Sequence, residues 1–124
     1  DSRAYHPLGQ LYIKGGAGLK QDYAKAIEFF SKSCALNKYE GCNDLGLMYG
    51  RGLGTKQNTT KAKELYDKAC NLGSKAGCLN LGLYYAGGRV VKQDYAKARE
   101  LYMKSCDLDS NKGCHALAAM HYYG

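Results

Sequence analysis

The sequence predicts an all-α fold, a solenoid of antiparallel helix pairs about three and a half repeats long. Three observations predict it. The chain matches itself at an offset of 36 residues, a period typical of helical repeats. Within each period the apolar residues recur at i, i+3, i+4 and i+7, the spacing of a single helix face. All six cysteines fall in three Cys-x7-Cys pairs, one pair per period.

Each repeat opens with a helix A, whose four versions LGQLY, LGLMY, LGLYY and LAAMH start at Leu8, Leu45, Leu81 and Leu117. In the second version Cys42, Leu45, Gly46 and Tyr49 share one face. A helix-interior glycine costs about 1 kcal/mol relative to Ala. Its return at Gly9, Gly46 and Gly82 therefore predicts a neighbouring helix at close approach. Tyr5 stands where the first helix A would carry its cysteine, and Pro7 suits only an early helical position, so that helix should be short or start late. Glycine-rich turns follow, GGAGL, GRGLG and AGGRV, and the first of them absorbs the one extra residue of repeat 1.

Helix B is written three times, as KQDYAKAIEFFSKSC, KQNTTKAKELYDKAC and KQDYAKARELYMKSC. Ala62, Leu65, Tyr66, Ala69 and Cys70 form its stripe in the second copy, and Asp22, Asn58 and Asp94 stand where an N-cap is needed. The repeats then run over about 1–36, 37–72 and 73–108, with helix A of a fourth over about 109–124. Ala116, Ala119, Met120 and Tyr123 leave that last helix little polar surface, so a further helix B, further repeats or a partner is expected to cover it.

In this register Cys34 closes a helix B and Cys42 lies in the first turn of the next helix A, and the short link folds the two antiparallel. Their Cα atoms can then approach within disulfide range. The expected bridges are Cys34–Cys42, Cys70–Cys78 and Cys106–Cys114. Closing a nine-residue loop contributes about 2.5 kcal/mol in the chain-entropy model. The spacing is too wide for the usual zinc pairs and lacks the Cys-x-x-Cys of thiol redox sites. Structural bridges imply an oxidising compartment, whether periplasm, extracellular space or secretory lumen, and hence a secreted or periplasmic protein.

Eighteen Lys and Arg against eleven Asp and Glu give the 124 residues a net charge of +7. That favours anionic partners without choosing among them. No apolar run reaches a bilayer's length, and DSRAYHPLGQ is no signal peptide, so an exported chain would have lost its leader.

The LGLMY segment, its glycine turn, KAKELYDKAC and the Cys-x7-Cys hairpins together resemble the Sel-one-like repeat family. These are relatives of the tetratricopeptide repeats, and the likeness is greatest to the secreted, cysteine-rich, Helicobacter-type branch. The resemblance covers nearly the whole chain and implies a right-handed α-superhelix, export, one disulfide per repeat and a role as adaptor or scaffold. Some members are also described as penicillin-binding or as weak β-lactamases. Ala118 and His121 depart from the repeat's glycine and tyrosine.

A serine β-lactamase needs Ser-x-x-Lys with its partner motifs. Ser2, Ser31, Ser33, Ser74, Ser105 and Ser110 all lack a lysine three positions on. Glu28, Glu64 and Glu100 recur once per repeat, as a solvated face would, rather than as the facing carboxylates of a glycosidase. His6, His115 and His121 have no ligand cluster or nucleophile beside them in sequence. No catalytic residue, metal or cofactor is therefore assigned, and no nucleic-acid motif is present.

A solenoid binds along its concave face, which by analogy with tetratricopeptide repeats is lined by helix A. Beside its packing stripe lie His6 and Gln10, Asn43 and Leu47, Leu79 and Leu83, and His115 and Ala119. Asn43, Leu47, Leu79, Leu83 and His115 are the candidate binding residues, the leucines offering an apolar seat for a peptide or helix. The competing account is that these leucines fill space between repeats. The expected function is a protein- or peptide-binding adaptor; the alternative is a β-lactam-interacting hydrolase, and a third option is an anionic cell-wall or surface polymer held by the positive charge.

Overall fold

The computed structural model describes residues 2–123, with side chains described over 3–120; the side chains of His121 and Tyr123 lie outside them. A single 3-10 turn at Ser2–Ala4 leads into seven α-helices: α1 (Tyr5–Lys14), α2 (Tyr23–Ala35), α3 (Tyr39–Arg51), α4 (Thr59–Asn71), α5 (Lys75–Gly87), α6 (Tyr95–Asp107) and α7 (Asn111–Tyr123). Helices α1, α3, α5 and α7 are the A helices; α2, α4 and α6 are the B helices. With Pro7 in its first turn, α1 has 10 residues against 13 in each of the others.

The KQ[D/N] motif stitches each A helix to its B helix. Asp22, Asn58 and Asp94 accept the amides of Lys25, Lys61 and Lys97 at 3.0–3.1 Å and so cap α2, α4 and α6. The preceding glutamines, Gln21, Gln57 and Gln93, donate Nε2–H to the carbonyls of Ile13, Gly50 and Ala86 at the end of the A helix, 2.8–2.9 Å away. One residue thus closes a helix and its neighbour opens the next. Between them Gly52 and Gly88 take left-handed φ of 69°, which ends α3 and α5 without a Cβ clash.

The B-to-A turns obey a second rule. Asn37, Gly73 and Asp109 share one repeat position and all have positive φ, at 61°, 99° and 69°. Asn, Gly and Asp are the residue types that tolerate this conformation best. Ser74 and Ser110 then cap α5 and α7 by accepting the amides of Gly77 and Gly113 at 2.9 and 3.0 Å, while Lys38 caps α3 with no side-chain bond.

Each helix packs on its sequence neighbours. Successive A helices also touch, α1 with α3, α3 with α5 and α5 with α7, whereas successive B helices make few or no contacts. The A helices therefore lie on the inside of the curve. The core forms two successive clusters along the stack, one around Phe30, Leu45 and Met48 and one around Tyr66, Leu81 and Leu101, with the half-buried Tyr49 packed against both.

The recurring helix A glycines face the rings of the following B helix. A Cβ at Gly46 would stand 2.7 Å from Tyr66 Cε1, and one at Gly82 2.7 Å from Tyr102 Cε1. The glycine thus sets the separation within each hairpin. Both tyrosines are buried, and burial, together with the Tyr84 phenol in the case of Tyr66, pushes their phenols above the usual tyrosine range.

Two predictions follow from this packing. Gly82→Ala should destabilise the fold by about 1–3 kcal/mol in urea titration, through overpacking against Tyr102, and an unchanged midpoint would show that the ring has room to yield. Ser33 and Ser105 occupy one repeat position with opposite surroundings: the buried Ser33 Oγ has no hydrogen-bond partner, while Ser105 Oγ donates to the Lys75 carbonyl at 2.9 Å. Ser33→Ala should leave stability unchanged or raised, and Ser105→Ala should cost about 1 kcal/mol. Equal effects at the two sites would refute the assignment.

Candidate functional site

Four residues per A helix separate two rows that run along the inner face. One row is His6, Asn43, Leu79 and His115; the other is Gln10, Leu47, Leu83 and Ala119. Because helix residues four apart lie on the same side, the rows are parallel tracks across α1, α3, α5 and α7.

The first track is tied to the adjoining helix by polar contacts. His6 Nε2 lies 2.6 Å from Asp44 Oδ2, the imidazole N–H donating to the carboxylate. One repeat on, Asn80 Nδ2 donates to Asn43 Oδ1 at 3.1 Å. Asp44 and Asn80 are repeat equivalents, so the two bonds are successive rungs of one inter-repeat ladder. At the third rung the equivalent residues, Leu79 and Ala116, are apolar.

Two hollows open along these tracks and share Gln10 and Asp44. The larger, about 480 Å³, lies between α1, α3 and the start of α5 and includes His6, Glu40, Asn43, Ser74 and Lys75. The smaller, about 250 Å³, includes Ile13, Leu47, Met48, Arg51 and Leu53. One end of the groove is therefore rich in hydrogen-bonding and charged groups and the other is largely apolar.

The candidate residues are not equivalent in this setting. Asn43 is buried, lines the larger hollow and spends its carbonyl on Asn80. Leu47 is half-buried, lines the smaller hollow and packs against the Tyr66 cluster, so it partly fills space between repeats. Leu79 is half-buried, His115 is exposed, and both lie outside the two hollows. Leu83 is 50% exposed and also lies outside both hollows, on the track that Gln10 and Leu47 begin. The structure brings Asn43 and Leu47 into the groove beside His6, Gln10 and Asp44. Asp44 was not singled out from sequence, since its part depends on the offset between α1 and α3.

The cysteines sit at the other structural level. Cys34–Cys42, Cys70–Cys78 and Cys106–Cys114 are bridged with Cα–Cα distances of 4.5 Å, each joining the end of a B helix to the first turn of the next A helix. The hydroxyls of Ser74, Ser105 and Ser110 are committed to backbone groups. Among the described residues no group of three His, Cys, Asp or Glu could hold a metal ion, and no helix is long and apolar enough to cross a membrane. Three disulfides point to a compartment other than the cytoplasm.

Comparison with known proteins agrees with this architecture. The Sel1 repeat profile matches residues 2–38, 40–74 and 75–110. The fold is similar to c5321, a protective antigen of uropathogenic Escherichia coli with an SLR fold, at a TM-score of 0.92 and 30% identity over 99% of this chain and 26% of that one. A Sel1 repeat protein from Oxalobacter formigenes superposes at a TM-score of 0.88 with 22% identity, over 94% of this chain and 48% of its own. The chain thus spans about a quarter and about half of the lengths of these two proteins. Helicobacter pylori cysteine rich protein B aligns at a TM-score of 0.76 and 30% identity, over 94% of this chain and 96% of that one. No curated protein matches the sequence significantly. With three consecutive repeats matched and a cysteine-rich relative aligned over nearly its full length, the chain belongs to the Sel1 repeat family.

Proposed function

We propose that the protein is an exported, disulfide-stapled adaptor that holds an extended protein segment along its helix A face. The reading is carried by one observation: the two hollows share Gln10 and Asp44 and so make one groove along the inner helices. Repeat scaffolds of this kind mediate protein interaction.

The groove also suggests what the segment looks like. Apolar side chains would seat on the track from Leu47 to the half-exposed Leu83. Backbone or polar groups would meet Gln10, Asp44 and Glu40 at the other end. The bridged B-to-A turns keep successive A helices in register, so the groove is largely formed before the partner arrives and less ordering entropy opposes binding. Export, into the periplasm or beyond the cell, is supported by the three bridges and by the likeness to the H. pylori cysteine rich protein.

The test is selection of linear peptides on the oxidised protein, followed by affinity measurement on two variants. Leu83→Asp places a charge on the exposed track and should weaken binding about tenfold or more. Met103→Asp alters an equally exposed residue of α6 on the outer layer and should leave binding unchanged. Equal losses, or no loss at Leu83, would refute the inner A-helix face from Leu47 to Leu83 as the seat of the segment.

A further inference from the structure

The positive charge is not spread evenly over the solenoid. At the edge where each A helix turns into its B helix, Lys20, Lys56 and Lys92 stand exposed in the three turns. Lys25, Lys61 and Lys97 follow in the first turn of each B helix. Lys14 and Arg51 end α1 and α3 beside them, and Arg89 is exposed in the third turn. Each repeat thus presents one cationic cluster at the same place. The carboxylates nearest to it, Asp22 and Asp94, cap α2 and α6 and offset one charge each in the first and third clusters. Glu28 lies mid-helix, 3.9 Å from Lys25 and 4.0 Å from Lys32, and offsets the cluster only in part.

The opposite edge, which carries the disulfides, is nearly balanced. Lys38, Lys75 and Lys112 alternate there with Glu40, Asp67, Asp107 and Asp109. Its remaining lysines are Lys32, Lys68 and Lys104: Lys68 Nζ donates to the Cys34 carbonyl at 3.1 Å, and Lys32 Nζ lies over the rings of Tyr5 and Phe29, as Lys61 Nζ on the first edge lies over Tyr49. Most of the net +7 therefore falls on one edge.

We propose that this cationic edge is a docking surface for a linear acidic polysaccharide lying along the stack, its anionic groups meeting one lysine cluster per repeat. Successive A helices are in contact, so the clusters recur at about one interhelical distance, roughly 8–10 Å, which an extended chain of charged sugars can follow. A bilayer is disfavoured because anchoring adds inserted apolar side chains to basic ones, and the exposed Leu36, Leu72 and Leu108 all lie on the other edge. A single-stranded nucleic acid is disfavoured because its bases need a row of exposed aromatic faces, and on this edge Tyr95 offers an exposed ring while Thr59 stands at the same place one repeat earlier. The cluster borders the helix A groove at Lys14 and Arg51, which line its smaller hollow, whereas Lys20, Lys56 and Lys92 lie outside both hollows, so substituting those three tests this edge without altering the groove.

The test is calorimetric titration of the oxidised protein with polygalacturonate oligomers of graded length. Affinity should rise with length until three clusters are spanned, and should fall between about 0.05 and 0.15 M salt. The triple variant Lys20→Gln, Lys56→Gln, Lys92→Gln should weaken binding roughly tenfold or more at fixed salt. The control Lys38→Gln, Lys104→Gln, Lys112→Gln removes the same charge from the other edge, where Lys104 lies in the last turn of α6, and should change it less than about twofold. All six side chains are exposed, and matched melting temperatures would confirm that both variants fold. Equal losses in the two triples would reduce the effect to net charge and overturn the proposal. So would length-independent binding, or tighter binding to phosphatidylglycerol vesicles or oligo-dT than to the longest oligomer.

Discussion

The disulfide between the end of one B helix and the first turn of the next A helix is the constraint on which the rest depends. Contacts within a hairpin are numerous and local, but a solenoid is specified only when the angle between successive hairpins is also set. Here that angle is held where the two helices come closest, with Cα atoms 4.5 Å apart at all three junctions. Cys34, Cys42, Cys70 and Cys78 are buried, so these bridges also belong to the core. A chain of this size buries proportionately little surface, and covalent closure of three short loops compensates by restricting the unfolded chain.

With the junctions held, the inner layer can be partly polar. His6–Asp44 and Asn43–Asn80 are cross-repeat bonds on the face that also forms the groove. They satisfy polar groups that would be costly to bury unpaired, and they fix the offset between neighbouring A helices. The ladder stops where Leu79 and Ala116 take over, so the cross-repeat polar bonds join only α1, α3 and α5.

Three surfaces of one repeat therefore differ in chemistry. The inner A face offers a shaped, mixed groove; the disulfide edge is rigid and nearly neutral; the glycine-turn edge carries the lysine clusters. The separation follows from antiparallel hairpins, which send every A-to-B turn to one edge and every B-to-A turn to the other. A residue type favoured at one turn is then displayed as a row. Repetition in sequence becomes alignment in space.

Much of this was legible in the chain itself. The 36-residue period, the helix stripes, the Asp22, Asn58 and Asp94 caps and the close approach at Gly46 and Gly82 are local or periodic signals, and they survive folding because neighbours in sequence remain neighbours in space. The motif Gln-Asp/Asn and the Asn37, Gly73 and Asp109 turns were equally local, and their chemistry becomes evident once the helix ends are placed. The site was another matter. Asn43 and Leu47 were candidates by repeat position, but whether a side chain on an A helix faces solvent, a groove or the next repeat depends on the offset between helices 36 or 37 residues apart, which no local pattern encodes. So the sequence by itself determined the repeat, its helices and the residue types at each turn. Tertiary packing alone decided that Asp44 meets His6, that Asn43 is spent on Asn80 and that Leu83 remains exposed, because those outcomes rest on distances between separate helices.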